Sequence, residues 1–228
     1  MTTSPQSLKI AVPGAGDVSA LLDFPADPFA CYVFAHGAGA GMEHAFMAAL
    51  AEGLVQRGVA VLRFQFPFME QGSKRTDAPP LAQSTVRAAV QEAAARVPGV
   101  ALFAGGKSFG GRMSSQAQAD DPLPGVRGLV FVGFPLHPAG KPSTQRAEHL
   151  AGVKLPMLFL QGTRDALAEL DLVRDVTSGL RDRATLHVVE GADHAFHVLA
   201  RSGRNDAQVR DEILDAAVKW MRRLALTR

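Results

Sequence analysis

Three residues carry most of the chemistry that this sequence can offer. Ser108 lies in Gly106-Lys107-Ser108-Phe109-Gly110, a G-x-S-x-G pentapeptide. It follows VALFA (100–104), which reads as a buried strand, and precedes a helical pattern. A serine at such a strand-to-helix turn is held at the tip of a sheet with its hydroxyl exposed, and small residues two before and two after keep the flanking backbone clear. Asp165 stands just past the apolar run MLFLQ (157–161), and His194 a few residues past TLHVVE (185–190). An imidazole takes the serine proton and a carboxylate orients the imidazole, which is the apparatus of nucleophilic acyl transfer. Singly, an aspartate after a strand is commonly a helix cap and a histidine there commonly a turn residue. Together they stand in nucleophile–acid–base order, 57 and 29 residues apart. Those gaps hold whole strand–helix units, so all three fall at the C-terminal edge of a parallel sheet.

A negatively charged intermediate needs donors. The helix after Ser108 points its N-terminus at the serine, and the N–H of Phe109 is one expected donor. The glycine-rich HGAGAG (36–41) follows the strand pattern CYVFA (31–35) and offers the second from Ala38, with Gly37 or Gly39 as alternatives. His36 is expected to brace this loop. Met42, Phe68 and Met69 sit on loops at the same edge and are candidates for an apolar substrate wall, with core packing as the competing assignment. Lys107 flanks the nucleophile and is a further candidate for substrate contact, as are Arg112 and Arg164, against plain salt bridges.

Other chemistries fit less well. Gly106-Lys107-Ser108 ends like a phosphate-binding P-loop, but the pattern requires glycine where Ala101 stands. HGAGAG does not fit G-x-G-x-x-G, because Met42 or His44 occupies the last position. His194-x-x-His197 lacks the glutamate of a zinc-binding helix, and His44, His137 and His197 read as surface or supporting residues. No metal and no cofactor is expected.

The elements that must position these residues are legible. CYVFA (31–35), VAVLRF (59–64), VALFA (100–104), LVFV (129–132), MLFLQ (157–161) and TLHVVE (185–190) are continuous apolar runs, as in strands buried on both faces of a parallel sheet. Helical patterns over 44–58, 81–97, 167–180 and 206–225 alternate with them. LKIAV (8–12) and VSALLDFP (18–25) flank the turn cluster PGAGD, predicting an antiparallel hairpin at one sheet edge. The expected fold is α/β: a mostly parallel central sheet with helices on both faces and an N-terminal edge hairpin, in one domain over 1–228. The segment 133–154 is irregular, with a short helix expected around 143–150, and is too short for a large cap domain.

Composition narrows the class. With 47% hydrophobic and 20% charged residues the chain is neither disordered nor fibrous. Its net charge of +2 comes from interspersed charges, with no basic face for nucleic acid. No apolar run approaches the ~20 residues of a membrane helix. One cysteine, Cys31, forms no internal disulfide and reads as a small core residue. With no leader pattern at the N-terminus, a cytoplasmic protein is expected. Its partner is a small-molecule acyl substrate, and a homo-oligomer stays open.

At this point the chain resembles the α/β-hydrolase superfamily. AHGAGAGMEHAFM, RFQFPF, GGKSFGGRMSS, GFPLHPAGKP, QGTRD and ADHAF together are similar to the dienelactone-hydrolase-like branch, related to testis-expressed and chromatin-complex hydrolase-like proteins, over roughly 30–200. The resemblance implies Ser108 as nucleophile, Asp165 as acid, His194 as base, and the loop at 36–41 near the oxyanion. Dienelactone hydrolases proper use cysteine where this chain has Ser108. The expected activity is hydrolysis of a carboxylic ester, or a related acyl bond such as a thioester, through an acyl-enzyme. The alternative is a non-catalytic binding or interaction module on the same fold.

Overall fold

The computed structural model describes residues 4–226; residues 1–3 and 227–228, the ends of the expected 1–228 domain, lie outside the described residues. Eight strands form one sheet: β1 (Gln6–Val12), β2 (Gly16–Asp23), β3 (Ala30–Ala35), β4 (Val59–Phe64), β5 (Ala101–Lys107), β6 (Val126–Val132), β7 (Met157–Gly162) and β8 (Ala184–Val189). Their order is β1-β2-β4-β3-β5-β6-β7-β8. β1 pairs antiparallel with β2, and β2 antiparallel with β4. The other pairings are parallel.

Burial follows the sequence pattern except in TLHVVE, expected to be buried on both faces: β8 ends the sheet and is only partly buried from Ala184 to Val188. β3, β4 and β7 are buried at every position, so both faces must be covered. β1 alternates exposed and buried residues from Ser7 onward, as an edge strand with one wet face does. In β3, Cys31, Val33 and Ala35 enter one core and Ala30, Tyr32 and Phe34 the other. Helices α1 (Ala45–Gln56) and α6 (Asp206–Leu226) cover the second face. Helices α3 (Pro79–Arg96), α4 (Phe109–Asp120) and α5 (Leu170–Gly179) cover the first. Glycine sets one close approach, since a Cβ on Gly53 of α1 would lie 2.3 Å from Leu214 of α6. One short helix was not expected: α2 (Pro67–Glu70), opened by a proline at its first position.

The middle of the sheet is locked across three strands. Tyr32 on β3 reaches over β5 and donates to the carbonyl of Val130 on β6 at 2.9 Å. Gly105 of β5 lies between, at φ 146°, and a Cβ there would stand 1.9 Å from that same carbonyl oxygen. A residue with a side chain would block the tyrosine's path, so glycine is required by close approach as well as by backbone conformation.

The chain leaves β6 at Gly133, passes an exposed turn at Ala139–Pro142, and returns through a 3₁₀ segment, Gln145–Gly152. That segment packs on α4 and carries no further domain. Gly140 in the turn has φ 71° and nothing within 4 Å of a Cβ position.

Candidate active site

The turn between β5 and α4 holds Ser108 at φ 50° and ψ −114°, a left-handed backbone rare for any residue but glycine. The sequence allows this turn because its neighbours are small. A Cβ on Gly106 would fall 2.4 Å from the carbonyl oxygen of Ala35, and one on Gly110 2.5 Å from the same atom. The turn is therefore pressed against the end of β3, and the serine side chain is turned out at the sheet's C-terminal edge.

Ser108, Asp165 and His194 meet there. His194 Nε2 lies 2.9 Å from Ser108 Oγ, and His194 Nδ1 lies 2.7 Å from Asp165 Oδ2. The arrangement suits an imidazole protonated on Nδ1, which donates to the carboxylate and leaves Nε2 to accept from the serine hydroxyl. The Asp165 side chain is fully buried, and every lone pair it uses is matched. Oδ1 accepts from the Leu167 N–H at 2.8 Å, and Oδ2 also accepts from Gln161 Nε2 at 2.6 Å. Gln161 is itself buried, and its Oε1 accepts from the Phe134 N–H at 3.0 Å. Sequence reasoning missed Gln161. Its signal was present, as the one side-chain amide in the otherwise apolar run MLFLQ.

The glycine loop lies beside the serine. A Cβ on Gly37 would touch Ser108 Cβ at 3.8 Å, and Gly37, Ala38 and Gly39 all border the same cavity as Ser108. Phe109 is the first residue of α4, so its N–H has no acceptor within the helix. His36 braces the loop from below. It is fully buried, its Nδ1 lies 2.7 Å from the Gly37 carbonyl oxygen, and its Nε2 accepts from the Phe66 N–H at 3.0 Å. Burial pushes this imidazole down to about 4, against a smaller opposing effect of the Gly37 bond, so it is neutral near pH 7. Arg63 holds the far end of the loop through the Met42 carbonyl at 2.9 Å. The same guanidinium is paired bidentately with Asp23, while Gln65 Oε1 accepts from the Met42 N–H at 3.0 Å. None of these supports was read from the sequence except His36.

Beside Ser108 opens a cavity of about 530 Å³. This lies within the ~300–1,000 Å³ of small-molecule sites. Its walls include Phe46 and Met47 from α1, Leu167, Ala195 and the loop at 37–40. His44 stands at its border and caps α1 by accepting from the Phe46 N–H at 3.3 Å. The expected wall of Met42, Phe68 and Met69 is elsewhere. Met42 and Phe68 are buried in the core and Met69 packs against it, because α2 turns Phe68 inward against His36, Phe66 and Phe109.

The flanking cations take separate places. Arg164 is exposed and donates to the Gly191 carbonyl at 3.3 Å, while Arg112 lies over the Phe109 ring at 6.0 Å. Lys107 borders the cavity, but its ammonium donates to the main-chain carbonyl of His194 at 2.6 Å. Cys31 is buried in β3, and burial pushes its thiol up to about 12, so it is no competing nucleophile. His137 and His197 serve structure: Nε2 of the first accepts from the Glu169 N–H at 3.4 Å, and the second pairs with Asp206 at 2.9 Å. A second serine–histidine contact, Ser115 Oγ to His149 Nε2 at 2.8 Å, lies on α4 and the 3₁₀ segment. Ser115 is fully buried, and burial with nearby Arg112 pushes His149 down to about 4.

Among the described residues no helix is long and apolar enough to cross a membrane. No group of three or more His, Cys, Asp or Glu is placed to hold a metal ion there.

Known proteins share this arrangement of chain. The model of a family described as alpha/beta hydrolase domain matches residues 28–222. An α/β serine hydrolase without a lid from Xanthomonas campestris superposes with a TM-score of 0.76 at 23% identity, covering 100% of this chain and 99% of that one. A dienelactone hydrolase from Anabaena variabilis gives 0.75 at 21% identity, covering 97% and 99%. Est1E from Butyrivibrio proteoclasticus, solved with ferulic acid bound, gives 0.68 at 16% identity, covering 91% and 98%.

Proposed function

This chain belongs to the alpha/beta hydrolase domain family, and from that premise we propose that it is a serine hydrolase of carboxylic esters or related acyl bonds such as thioesters. The observation that carries the proposal is the unbroken hydrogen-bond chain from Ser108 Oγ through the His194 ring to the buried Asp165 carboxylate. It begins at a serine whose backbone is held in a rare conformation. A scaffold with no use for a nucleophile has no reason to keep that strain, which costs on the order of 1–3 kcal/mol.

In this reading His194 Nε2 takes the hydroxyl proton as Ser108 Oγ attacks the acyl carbon. Asp165 holds the imidazole in its Nδ1-protonated form and stabilises the imidazolium. The Phe109 N–H and an N–H of the 37–39 loop receive the oxyanion. His194 then gives the proton to the departing alcohol or thiol, leaving an acyl-serine. Water attacks that ester with His194 as base, releasing the acid and restoring Ser108. The apolar cavity beside Ser108 supports a substrate with an uncharged hydrocarbon or aromatic group. The short β6–β7 connection supports an open mouth rather than a tunnel.

Intact-mass analysis after exposure to a fluorophosphonate tests this directly, with Ser108→Ala alongside. One adduct on the parent, mapped to Ser108 and absent from the variant, is expected. A folded parent that stays unlabelled through long exposure near neutral pH sinks the hydrolase and leaves the binding-module reading.

A further inference from the structure

We propose that Lys107 is a positioning residue of this reaction: it spans from the glycine loop to the back of His194 and ties the base's main chain to the nucleophile strand. The proposal rests on the hydrolase reading above and deepens it.

The side chain has two halves with different surroundings. Its stem lies alongside the glycine loop, where a Cβ on Gly37 would be 3.8 Å from Lys107 Cγ. Its ammonium donates to the His194 carbonyl oxygen at 2.6 Å. It stands over the Phe196 ring at 5.7 Å. Gly133, at the end of β6, makes room behind it. A Cβ at that position would lie 3.0 Å from Lys107 Nζ and 3.4 Å from His194 Nδ1. The head therefore sits on the Nδ1 side of the imidazole, opposite the Nε2 that faces Ser108. Asp165 and Asp193 are the carboxylates that face it, and neither is within 4.0 Å among the described residues.

The fold explains why His194 needs such a tie. Its loop follows β8, the edge strand, which is only partly buried over most of its length. The loop folds back on itself through the bridge between Ala192 and Val198 and through Asp193, whose Oδ1 accepts from the Ala195 and His197 N–H groups, and Phe196 there sits at φ 63°; none of these bonds reaches β5. Ser108 instead follows β5, in the middle of the sheet. Lys107 is the last residue of β5, so its bond sets the base's position relative to the nucleophile across the width of three strands. A methionine would fill this place with less desolvation cost, so the charge itself calls for a role. Burial pushes the ammonium down to about 8, against smaller opposing effects of Asp165 and Asp193. Below that pH the bond to the His194 carbonyl is charge-assisted, and above it the neutral amine donates more weakly.

The test uses the full chain, a p-nitrophenyl ester, and kcat/KM measured from pH 6 to 10 for the parent, Lys107→Met and Lys107→Arg. Circular dichroism checks folding. The parent is expected to lose activity above about pH 8. Lys107→Met should lose ~10–100-fold in kcat with little change in KM, since a displacement of about 1 Å can cost 10²-fold. It should also lack the alkaline fall. Lys107→Arg should restore part of the rate and carry the fall to higher pH, because guanidinium stays charged. Parent rates and an unchanged alkaline fall in Lys107→Met overturn the proposal. Should that variant not fold, an unmoved fall in Lys107→Arg overturns it. Fluorophosphonate labelling separates the two claims. A labelled parent with an equally labelled Lys107→Met defeats only the clamp, whereas an unlabelled parent defeats the hydrolase and the clamp together.

Discussion

Gln161 Nε2 and His194 Nδ1 converge on the same oxygen of Asp165, at 2.6 and 2.7 Å. The carboxylate is thus fixed before the imidazole arrives, by an amide that is itself fixed through the Phe134 N–H. Replacing Gln161 with leucine leaves one lone pair of Asp165 and the Phe134 N–H without partners in a buried place. The expected result is a fall of ~10–100-fold in kcat for any ester turned over, with a loss of ~1–3 kcal/mol in urea unfolding. Wild-type kinetics in Gln161→Leu rule out this orienting role.

Removing Ser108 or His194 should each cost on the order of 10⁶ in kcat, and the double variant no more than either alone, because the two act as a unit. Steady-state kinetics on one ester check both statements. Additive losses indicate separate roles for the two side chains.

His36 links the glycine loop to pH. Its imidazole titrates near 4 in the folded chain and near 6.5 in an unfolded one. The unfolded state therefore binds the proton first as pH falls. Stability is fully present above about 6.5 and declines as pH drops toward 4. The full effect is on the order of 3 kcal/mol. Urea midpoints at pH 7.5, 5.5 and 4.5 should fall in that order for the parent and fall less for a folded His36→Gln. Equal slopes in the two proteins count against this linkage.

Two glycine substitutions should behave oppositely. Gly110→Ala puts a methyl 2.5 Å from the Ala35 carbonyl oxygen and 2.6 Å from that of His36. Backbone must move, and a loss at or above ~3 kcal/mol is expected, with fluorophosphonate labelling abolished. Gly179→Ala, at the end of α5, meets nothing within 4 Å. It should be neutral or stabilising by up to ~1 kcal/mol. Thermal unfolding of both variants decides.

Phe46 forms a cavity wall and stacks on Phe196 with centroids 6.0 Å apart. Phe46→Ala should raise KM for the longest acyl or aryl esters by ~10-fold or more and leave acetate esters nearly unchanged. A uniform effect across a graded ester series places the binding group elsewhere.

Sequence carried the fold further than it carried the site's surroundings. The buried strands announced themselves as unbroken apolar runs because both their faces are covered. The hairpin did so through PGAGD, whose glycines Gly14 and Gly16 adopt φ 82° and 79°. Ser108, Asp165 and His194 were legible because each falls at a strand end, where a parallel sheet gathers its loops. The cavity wall was not. Met42 and Phe68 are near Ser108 in the chain's layout, yet which way a loop residue turns depends on packing partners distant in sequence. Here His36, Phe66 and Phe109 draw Phe68 inward. Phe46 and Leu167 face the cavity instead. The bond of Gln161 to Asp165 was hidden for a different reason, since it looked like the tail of a strand.

The path from β6 to β7 leaves at Gly133, turns at Ala139–Pro142, and comes back down the flank of α4. Of the strands that present Ser108 and Asp165, β5 is not attached to this path and β7 is attached only at its start. Extra sequence spliced into that exposed turn would meet no neighbour at Gly140 and need shift no strand register or hydrogen bond around His194. The chain can therefore be lengthened at Gly140 while the hydrogen bonds that hold Ser108, Asp165 and His194 stay as they are.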